Sequence, residues 1–225
     1  TYLPLPESSP GVVSPDALSI IINNIAKFDA LLIGCGIGQA SATRKMVEGI
    51  LCTRVSLPPT VVDADGLNIL SLSQFGAERY KWWDKFSTRA IVTPHPREMA
   101  RLMGDSSDVV QSDRVGVATE WAMKSNKVTV LKGAHTIVAF TDGKGMVSPF
   151  ANPGLASAGT GDVLAGVIVG LLCQGLQLED AASLGVYLHG ESGDRVREMM
   201  GDTGMIASDL LPVIPRVIQS LRNKT

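Results

Sequence analysis

The sequence predicts an α/β fold in which a mostly parallel sheet is covered by helices on both faces. Apolar runs of strand length alternate along the chain with longer segments that have helical spacing. The predicted strands are apolar at consecutive positions, as expected for strands that are buried on both faces of a sheet. No internal repeat or low-complexity linker interrupts the 225 residues, a length within the range of one α/β domain. We therefore predict a single domain over residues 1–225.

The predicted elements follow from proline positions, capping residues and apolar runs. Residues 1–15 contain four prolines and are predicted to form an extended lead-in without a regular element. Ser14 is predicted to cap a helix from residue 15 to about residue 27. The remaining predictions are strands at 29–33, 60–62, 90–93, 128–131 and 136–140, helices at about 41–52, 113–125, 162–174, 178–199 and 208–221, and a hairpin turn at 142–145.

Composition limits the classes of ligand. The net charge is −2, charged residues make up 19% of the chain, and no block of like charge occurs. Nucleic-acid binding and a polybasic membrane patch are therefore not indicated, and small neutral or anionic metabolites are favoured as ligands.

The cysteines and apolar runs indicate the compartment. Cys35, Cys52 and Cys173 are odd in number and far apart, which favours a reducing compartment and argues against a structural zinc site. We predict that they are buried thiols. The longest strongly apolar run, residues 163–173, is too short to span a bilayer, and the first residues do not resemble a signal peptide. The protein is predicted to be soluble and cytoplasmic, without a membrane partner.

A glycine-rich turn in residues 152–172 is the strongest candidate for a functional site. Ala158, Gly159 and Gly161 leave the backbone nearly bare where an apolar helical run begins. Unpaired N–H groups at a helix start form a seat for phosphate. A bound phosphate would repel Asp162, so this carboxylate favours a general base that takes a proton from a substrate hydroxyl. The alternative is an ordinary capped helix packed on the sheet.

Polar clusters follow four successive predicted strands: GCGIG, DAD, TPHPRE and KGAHT. In an open α/β sheet ligands bind beyond the carboxyl ends of the strands. We therefore expect the clusters to share one edge of the molecule with the glycine-rich turn.

The first two clusters each have two interpretations. GCGIG matches only part of the dinucleotide fingerprint, and it predicts either close approach to a ligand or a tight turn. Asp63 and Asp65 would face the same side of a strand, where they could hold water or Mg²⁺ or cap the following turn.

The other two clusters carry a histidine and a lysine. His95 lies between two prolines that stiffen the backbone, which favours substrate contact. Glu98 could reach a metal-bound water or be an acid at a helix start. Lys132 could contact a nucleotide phosphate, with the next two residues close to an adenine or ribose, or it could belong to a polar hairpin end. On this reasoning His135 and His189 are structural.

Seven sequence blocks lie between residues 15 and 221: GCGIGQ, DADGLN, TPHPREMARL, VLKGAHT, NPGLASAGTGDVLAGVIVGLL, AASLGVYLHGESGD and ASDLL. In this order and at these separations they resemble the ADP- or ATP-dependent NAD(P)H-hydrate dehydratases, members of the ribokinase-like superfamily. The resemblance implies a three-layer ribokinase-like sandwich. It also implies cofactor repair: the S form of NADH or NADPH hydrate, with a hydroxyl at C6 of the nicotinamide ring, is dehydrated while ADP or ATP is consumed.

The resemblance also implies roles for single residues. Asp162 matches the catalytic position, and Gly36, His95 and Asp162 match substrate-binding positions. The implied nucleotide-binding positions are Lys132, Gly133, Ala134, His135, Thr136, Gly159, Thr160 and Gly161. The TPHPRE and GTGD blocks favour ADP as donor.

The implied mechanism converts a poor leaving group into a phosphate. Asp162 deprotonates the C6 hydroxyl as it attacks the terminal phosphoryl group, and N–H groups of residues 158–161 stabilise the negative charge. Mg²⁺ is the expected cofactor because it bridges nucleotide phosphates, and Glu98 or Asp65 is expected to hold it through water.

The chain departs from the family pattern at its start, because members normally begin with a further strand, a glycine- and serine-rich loop, a helix and another strand. We expect that this segment exists in a longer protein, which could include a companion epimerase domain, and that it covers an open sheet edge. A homotetramer is the family expectation.

Two rival functions are kept. One is a small-molecule kinase of the same superfamily, acting on a hydroxymethylpyrimidine or thiazole alcohol, since the same base and anion seat serve any hydroxyl acceptor. The other is a non-catalytic nucleotide-binding module.

Overall fold

A six-stranded sheet lies at the centre of the computed structural model, which describes residues 2–72, 82–86, 88–201 and 203–223. The strands follow one another across the sheet in the order β3 to β8, with β3 to β6 parallel and the last two antiparallel. The strand bounds are β1 (Glu7–Ser9), β2 (Val12–Val13), β3 (Leu31–Ile33), β4 (Thr60–Val62), β5 (Ala90–Val92), β6 (Val128–Leu131), β7 (Ile137–Ala139) and β8 (Gly145–Val147). The predicted mostly parallel α/β sheet is confirmed.

Ten α-helices accompany the strands within the described residues. Their bounds are α1 (Ala17–Asn24), α2 (Ser41–Leu51), α3 (Asp65–Leu72), α4 (Pro96–Met103), α5 (Ser107–Ser112), α6 (Arg114–Ser125), α7 (Thr160–Leu172), α8 (Leu178–Met200), α9 (Ala207–Leu210) and α10 (Ile214–Arg222). Three short 3₁₀ turns lie at Ile25–Lys27, Trp82–Asp84 and Pro153–Ala156.

The sheet separates two hydrophobic clusters, which gives three layers. Successive strand residues point to opposite faces. Val62 and Val92 pack with α1 to α6, whereas Val61 and Ile91 pack with α7 to α10. Both faces of the sheet are covered, which explains why each strand is apolar at consecutive positions.

The strands are in register where the candidate site forms. Leu31 pairs with Thr60, and Thr60 pairs with Ala90, so β3, β4 and β5 end side by side. The polar clusters that follow these strands therefore start from one edge of the sheet.

The prediction that residues 1–15 contain no regular element is wrong. β1 and β2 form a short antiparallel hairpin, with Glu7 opposite Val13. The prolines lie outside the paired residues, and Gly11, with φ of +74°, makes the turn. The number of prolines was therefore not enough to exclude strands in this segment, because a proline prevents strand pairing only at its own position.

Several helices differ from the prediction. α3, α4 and α5 were not predicted, because each is short. α3 and α4 start within the DAD and TPHPRE clusters, where only the alternative reading of Glu98 as a helix-start acid indicated a helix. The predicted helix 208–221 is interrupted at residues 211–213, between α9 and α10. Pro215 explains the interruption, since it lacks an N–H and its ring would collide with the carbonyl of Leu211 in a continuous helix.

Within the described part of the chain, every helix is too short or too polar to cross a bilayer.

Candidate active site

The loop after β3 is held against the end of β4. Gly34 has φ of +127°, and a Cβ added there would lie 2.7 Å from the backbone nitrogen of Gly66. Only glycine permits this approach. Further along the loop, Asp65 accepts hydrogen bonds from the Gly38 N–H (2.9 Å) and Gln39 Nε2 (2.7 Å). These contacts join Asp65 to the loop after β3, whereas the capping interpretation had predicted contacts with the turn that follows Asp65.

Gly36 lies at the exposed tip of the same loop. Its φ is +67°, and apart from its two chain neighbours none of the described residues has an atom within 4 Å of the position that a Cβ would occupy. Its backbone is therefore open on the side where a ligand could approach.

A buried ion pair joins the second and fourth polar clusters. Lys132 Nζ lies 2.6 Å from Asp63 Oδ1, and Asp63 is only 1% exposed. The same ammonium lies 3.9 Å from Glu98 Oε2. A buried carboxylate next to a cation is the arrangement that avoids an unpaired buried charge.

Pro96 takes the first helical position of α4, where the missing N–H costs no helix bond, and His95 is the N-cap. Its Nδ1 accepts from the N–H groups of Arg97 (3.1 Å) and Glu98 (3.2 Å), and Glu98 Oε2 accepts from the His95 N–H at 2.8 Å. This capping box fixes both side chains. Glu98 Oε1 also lies 3.5 Å from His95 Nε2.

The surroundings of these two groups shift their protonation. Burial, the charge of Lys132 and that of Arg101 lower the pKa of His95. Burial raises the pKa of Glu98, and Lys132 opposes that change. Since Nδ1 of His95 is an acceptor, the neutral ring carries its proton on Nε2.

The glycine-rich turn forms the N-terminus of α7. Gly159 adopts φ of +84° as the N-cap, and the Thr160 hydroxyl is bonded within the turn, 2.6 Å from the carbonyl of Leu155 and 2.8 Å from that of Ser157. The Thr160 N–H also donates to Ser157. Among the described residues, no acceptor is present for the N–H groups of Gly161 and Asp162. These two groups are the free donors that an anion seat requires.

Asp162 is exposed at the third position of α7, close to the first two clusters. One carboxylate oxygen of Asp162, one of Asp63 and the sulfur of Cys35 all lie within 4.8 Å of one another. Burial and the two carboxylates raise the pKa of Cys35 to about 12, so the thiol stays protonated. The loops after β3 and β4 therefore reach the carboxylate of the glycine-rich turn.

A cavity of about 570 Å³ lies beside the turn. The predicted positions that line it are His95, Lys132, Gly133, Ala134, Thr136, Thr160 and Gly161. Gly36, His135, Gly159 and Asp162 do not line it. The His135 ring instead lies 3.1 Å from the carbonyl of Ser148 through Nδ1.

Sequence reasoning missed part of the site. The prediction of three buried thiols is wrong, because Cys173 is exposed and Cys35 and Cys52 are half-buried. Cys35 lies beside Asp162, and its place within the first glycine loop was the available signal. Phe150, Asn152 and His189 also line the cavity. Phe150 lies in the segment after β8, where no local motif marks it. Asn152 opens the candidate stretch 152–172 and His189 lies in the AASLGVYLHGESGD block, but neither was assigned a role in binding.

The family model for NAD(P)H-hydrate dehydratase matches residues 5–216. The chain is 42% identical over 220 residues to a bifunctional NAD(P)H-hydrate repair enzyme of Moorella thermoacetica, covering 98% of this chain and 40% of that protein. It is 38% identical over 202 residues to an ADP-dependent (S)-NAD(P)H-hydrate dehydratase of Neisseria meningitidis, covering 88% and 67% of the two chains. The chain thus spans about two fifths of the length of the bifunctional relative.

Solved structures agree with the family and with the fold. An ADP/ATP-dependent NAD(P)H-hydrate dehydratase from Bacillus subtilis, co-crystallized with ATP/Mg²⁺, is 28% identical and superposes with a TM-score of 0.72 over 92% of this chain and 76% of that chain. A ribokinase-like superfamily protein of Enterococcus faecalis is 23% identical, covers 93% and 69% of the two chains, has a TM-score of 0.74 and shows the fold alone. The chain belongs to the NAD(P)H-hydrate dehydratase family.

Proposed function

We propose that this chain dehydrates the S form of NAD(P)H hydrate to NAD(P)H and consumes ADP or ATP. The observation that carries the proposal is that Asp162 lies close to the Lys132–Asp63 pair, while Lys132 and Gly161, which has a free N–H, line the neighbouring cavity. This geometry supplies a base, a cation and an anion seat, the three parts of a phosphoryl transfer to an alcohol. The names of the relatives support the choice of substrate and of the S form.

In the proposed reaction, Asp162 removes the proton of the C6 hydroxyl while that oxygen attacks the terminal phosphoryl group of the nucleotide. The bond from that phosphorus to the bridging oxygen breaks, so that AMP leaves from ADP or ADP leaves from ATP. The N–H groups at the start of α7 hold the negative charge on the phosphoryl oxygens, and Lys132 offsets it. The lone pair of the ring nitrogen then expels the phosphate as the C6–O bond breaks. Loss of a proton from C5 restores the double bond of the reduced nicotinamide ring.

Gly36 and His95 are proposed substrate contacts. The open backbone of Gly36 and the neutral, capped imidazole of His95 support these roles. Lys132, Gly133, Ala134, Thr136, Thr160 and Gly161 are proposed to line the nucleotide site because they line the cavity, whereas the contacts of His135 and Gly159 give no such support.

We propose Mg²⁺ as the metal, which neutralises nucleotide phosphate charge when it is bound. Both oxygens of Asp65 are engaged with the first loop, and those of Glu98 face the His95 N–H, His95 Nε2 and Lys132. This donor set fits Mg²⁺ only through water, with Glu98 the better placed residue, and it leaves most direct positions to phosphate oxygens and water.

The test is incubation of the chain with hydrated NADPH, Mg²⁺ and either ADP or ATP, with the absorbance of reduced nicotinamide as the readout. Asp162→Asn should lower kcat by about 10²–10⁴ and leave ADP affinity within a few fold. Asp180→Asn is the matched control, because Asp180 is the exposed third residue of α8 just as Asp162 is of α7.

The alternatives give different results in the same assay. Wild-type protein that accumulates a phosphorylated alcohol without restoring absorbance would support a kinase. Wild-type protein that binds nucleotide and turns over neither substrate would support a binding module.

We further propose that the chain works as a homo-oligomer and alongside an epimerase activity. The bifunctional relative supports the second part, since its name gives it two activities. Exposed apolar side chains at Met199, Met200, Ile206 and Leu211 support the first.

A further inference from the structure

His189 connects the middle of α8 to the glycine-rich turn. Its Nε2 lies 2.9 Å from the carbonyl oxygen of Thr160, and the residue is only 8% exposed. Because a carbonyl can only accept, Nε2 carries the hydrogen and donates it. Burial lowers the pKa of His189 to about 4, so the ring is neutral at pH 7 and keeps this donor. The reaction proposed above gives this residue no role.

The carbonyl that His189 holds belongs to the same peptide unit as the N–H of Gly161. No cis peptide occurs in the described chain, so the C=O of Thr160 and the N–H of Gly161 are coplanar and point in opposite directions. Fixing the carbonyl therefore fixes the direction of the N–H. Glycine cannot fix that direction through a side chain of its own, and it has the widest backbone freedom of any residue.

The N–H of Gly161 is one of the two free donors at the start of α7. The backbone of Gly161 also faces the cation of the site, because a Cβ added there would lie 3.5 Å from Lys132 Nζ. A rotation of this peptide would change the direction of the donor relative to Lys132. The free donor is thus useful only in one orientation.

Thr160 is anchored at three atoms. Its carbonyl belongs to the first residue of α7 and accepts the helix bond from the Leu164 N–H as well, so His189 is the second anchor of that carbonyl and comes from another helix. The hydroxyl and the N–H of Thr160 bond to Leu155 and Ser157, within the preceding turn. Those bonds can move together with the turn. The bond from His189 ties the turn to α8, which packs along α7 and lines the same cavity.

We propose that His189 is a positioning residue that aligns the Gly161 N–H with the negative charge that develops on the transferring phosphoryl group. The inference rests on the proposed function. Hydrogen-bond donors that are already oriented stabilise a transition state without having to reorient during the reaction. They contribute mainly at the atoms on which the negative charge of the transition state is largest. Hydrogen bonds in series also polarise one another, so donation by His189 strengthens donation by Gly161.

The test compares His189→Leu with His189→Gln. Leu fills space but donates nothing, whereas the amide nitrogen of Gln reaches about as far as Nε2 and can donate to Thr160. We expect His189→Leu to lower kcat by about 10-fold to 100-fold, part of the effect of losing one such donor, while KM for ADP changes less than about threefold. His189→Gln should restore kcat to within about fivefold of wild type.

Ser183→Ala serves as a matched control on α8, because its hydroxyl bonds the carbonyl of Glu179 at 2.7 Å and does not line the cavity. It should leave both constants unchanged. A larger effect of His189→Leu on KM than on kcat would overturn the inference and assign the ring a direct nucleotide contact. Equal kcat in wild type and His189→Leu would also overturn it.

A second measurement does not depend on activity. Amide hydrogen exchange of residues 156–164 in the ligand-free protein should be faster in His189→Leu than in wild type, and His189→Gln should return it towards wild type. If the three proteins show this exchange pattern but the wild-type protein does not dehydrate the hydrate, the proposed function fails while the anchoring of the turn stands. Unchanged exchange in His189→Leu would refute the anchoring itself.

Discussion

Lys132 is the residue on which the charge of the site depends. Its ammonium faces Asp63 at 2.6 Å and Glu98 at 3.9 Å, and both carboxylates are buried. In such a place the loss of the cation matters more than the strength of any one pair, because a buried carboxylate without a partner keeps its full desolvation cost.

Lys132→Met is therefore expected to destabilise the fold by about 3–5 kcal/mol, measured by urea unfolding at pH 7. The double variant Lys132→Met with Asp63→Asn should recover a large part of this loss, since it removes the unpaired charge. Lys144→Met is the control, because Lys144 pairs with Asp142 at a similar distance of 2.9 Å but at the exposed surface. It should not change stability measurably. Similar losses in both single variants would contradict the role assigned to burial.

His189 is expected to make stability depend on pH. Its pKa is lowered from 6.5 to about 4 by burial, so the unfolded chain binds the proton more readily than the folded chain. The folded state therefore loses stability as pH falls below 6.5, by about 3 kcal/mol at pH 4. The measurement is urea unfolding at pH 7 and pH 4 for wild type and for His189→Gln, which cannot titrate. A pH dependence that is identical in the two proteins would count against a buried neutral ring.

The three thiols are expected to react at different rates with iodoacetamide. Burial raises the pKa to about 12 for Cys35 and about 11 for Cys52, whereas Cys173 is exposed. Since the thiolate is the reactive form, Cys173 should be alkylated first at pH 8. Peptide mass spectrometry resolves the order, and Cys173→Ser should leave a protein that reacts slowly. Early labelling of Cys35 would show that its thiol is not held protonated beside Asp162.

At the scale of elements, the α7–α8 pair sets the position of the anion seat. α8 crosses α7 closely at Gly185, where an added Cβ would lie 2.5 Å from the Ile168 side chain. α8 continues past the glycine-rich turn, where an added Cβ at Gly193 would lie 2.8 Å from the Leu155 side chain. The glycines of α8 thus bring His189 within reach of Thr160.

Gly185→Ala is expected to destabilise the protein by about 1–3 kcal/mol, because the extra methyl group forces the helices apart. Gly166→Ala on the outer side of α7 is the control, since its added Cβ would meet no other side chain within 4 Å among the residues that the structure describes. It should stabilise by about 0.4–1 kcal/mol through helix propensity. Thermal unfolding of both variants gives the comparison. A stabilising Gly185→Ala would show that the crossing has room that the packing does not indicate.

The elements also show where sequence reasoning succeeds. The alternation of apolar strands with helical segments predicted the parallel sheet, because a parallel strand needs a crossover and both of its faces are buried. Short helices such as α4 were missed, since His95 and Glu98 form a capping box that reads equally well as a ligand-binding loop. The hairpin of β1 and β2 depends on pairing between residues, which proline positions alone do not reveal.

At the scale of the whole molecule, the site is assembled from segments that are far apart in sequence. The ends of β3, β4, β5 and β6 could be predicted to lie together, because the carboxyl ends of parallel strands share an edge. The part of the cavity wall formed by Phe150 and His189 could not be predicted, since it depends on how α8 and the segment after β8 pack. Function-bearing loops follow from topology, whereas the shape of the cavity follows from tertiary contacts that leave no local pattern.

A ligand that binds a site of this kind should stabilise the molecule as a unit. The cavity is lined by residues from the loop after β6, the segment after β8, and both α7 and α8, so unfolding either helix removes the site. A nucleotide that binds only the folded state should raise stability by about 2.7 kcal/mol at 100 times its Kd, and the gain should keep rising with concentration. The measurement is thermal unfolding across a series of ADP concentrations with Mg²⁺, with adenosine as the control that lacks phosphates. The Tm of Asp162→Asn should rise with ADP as much as that of wild type, because the substitution removes the proposed base and leaves the N–H donors of Gly161 and residue 162. An increase in Tm that is equal for ADP and adenosine would show that the N-terminus of α7 does not hold the phosphates.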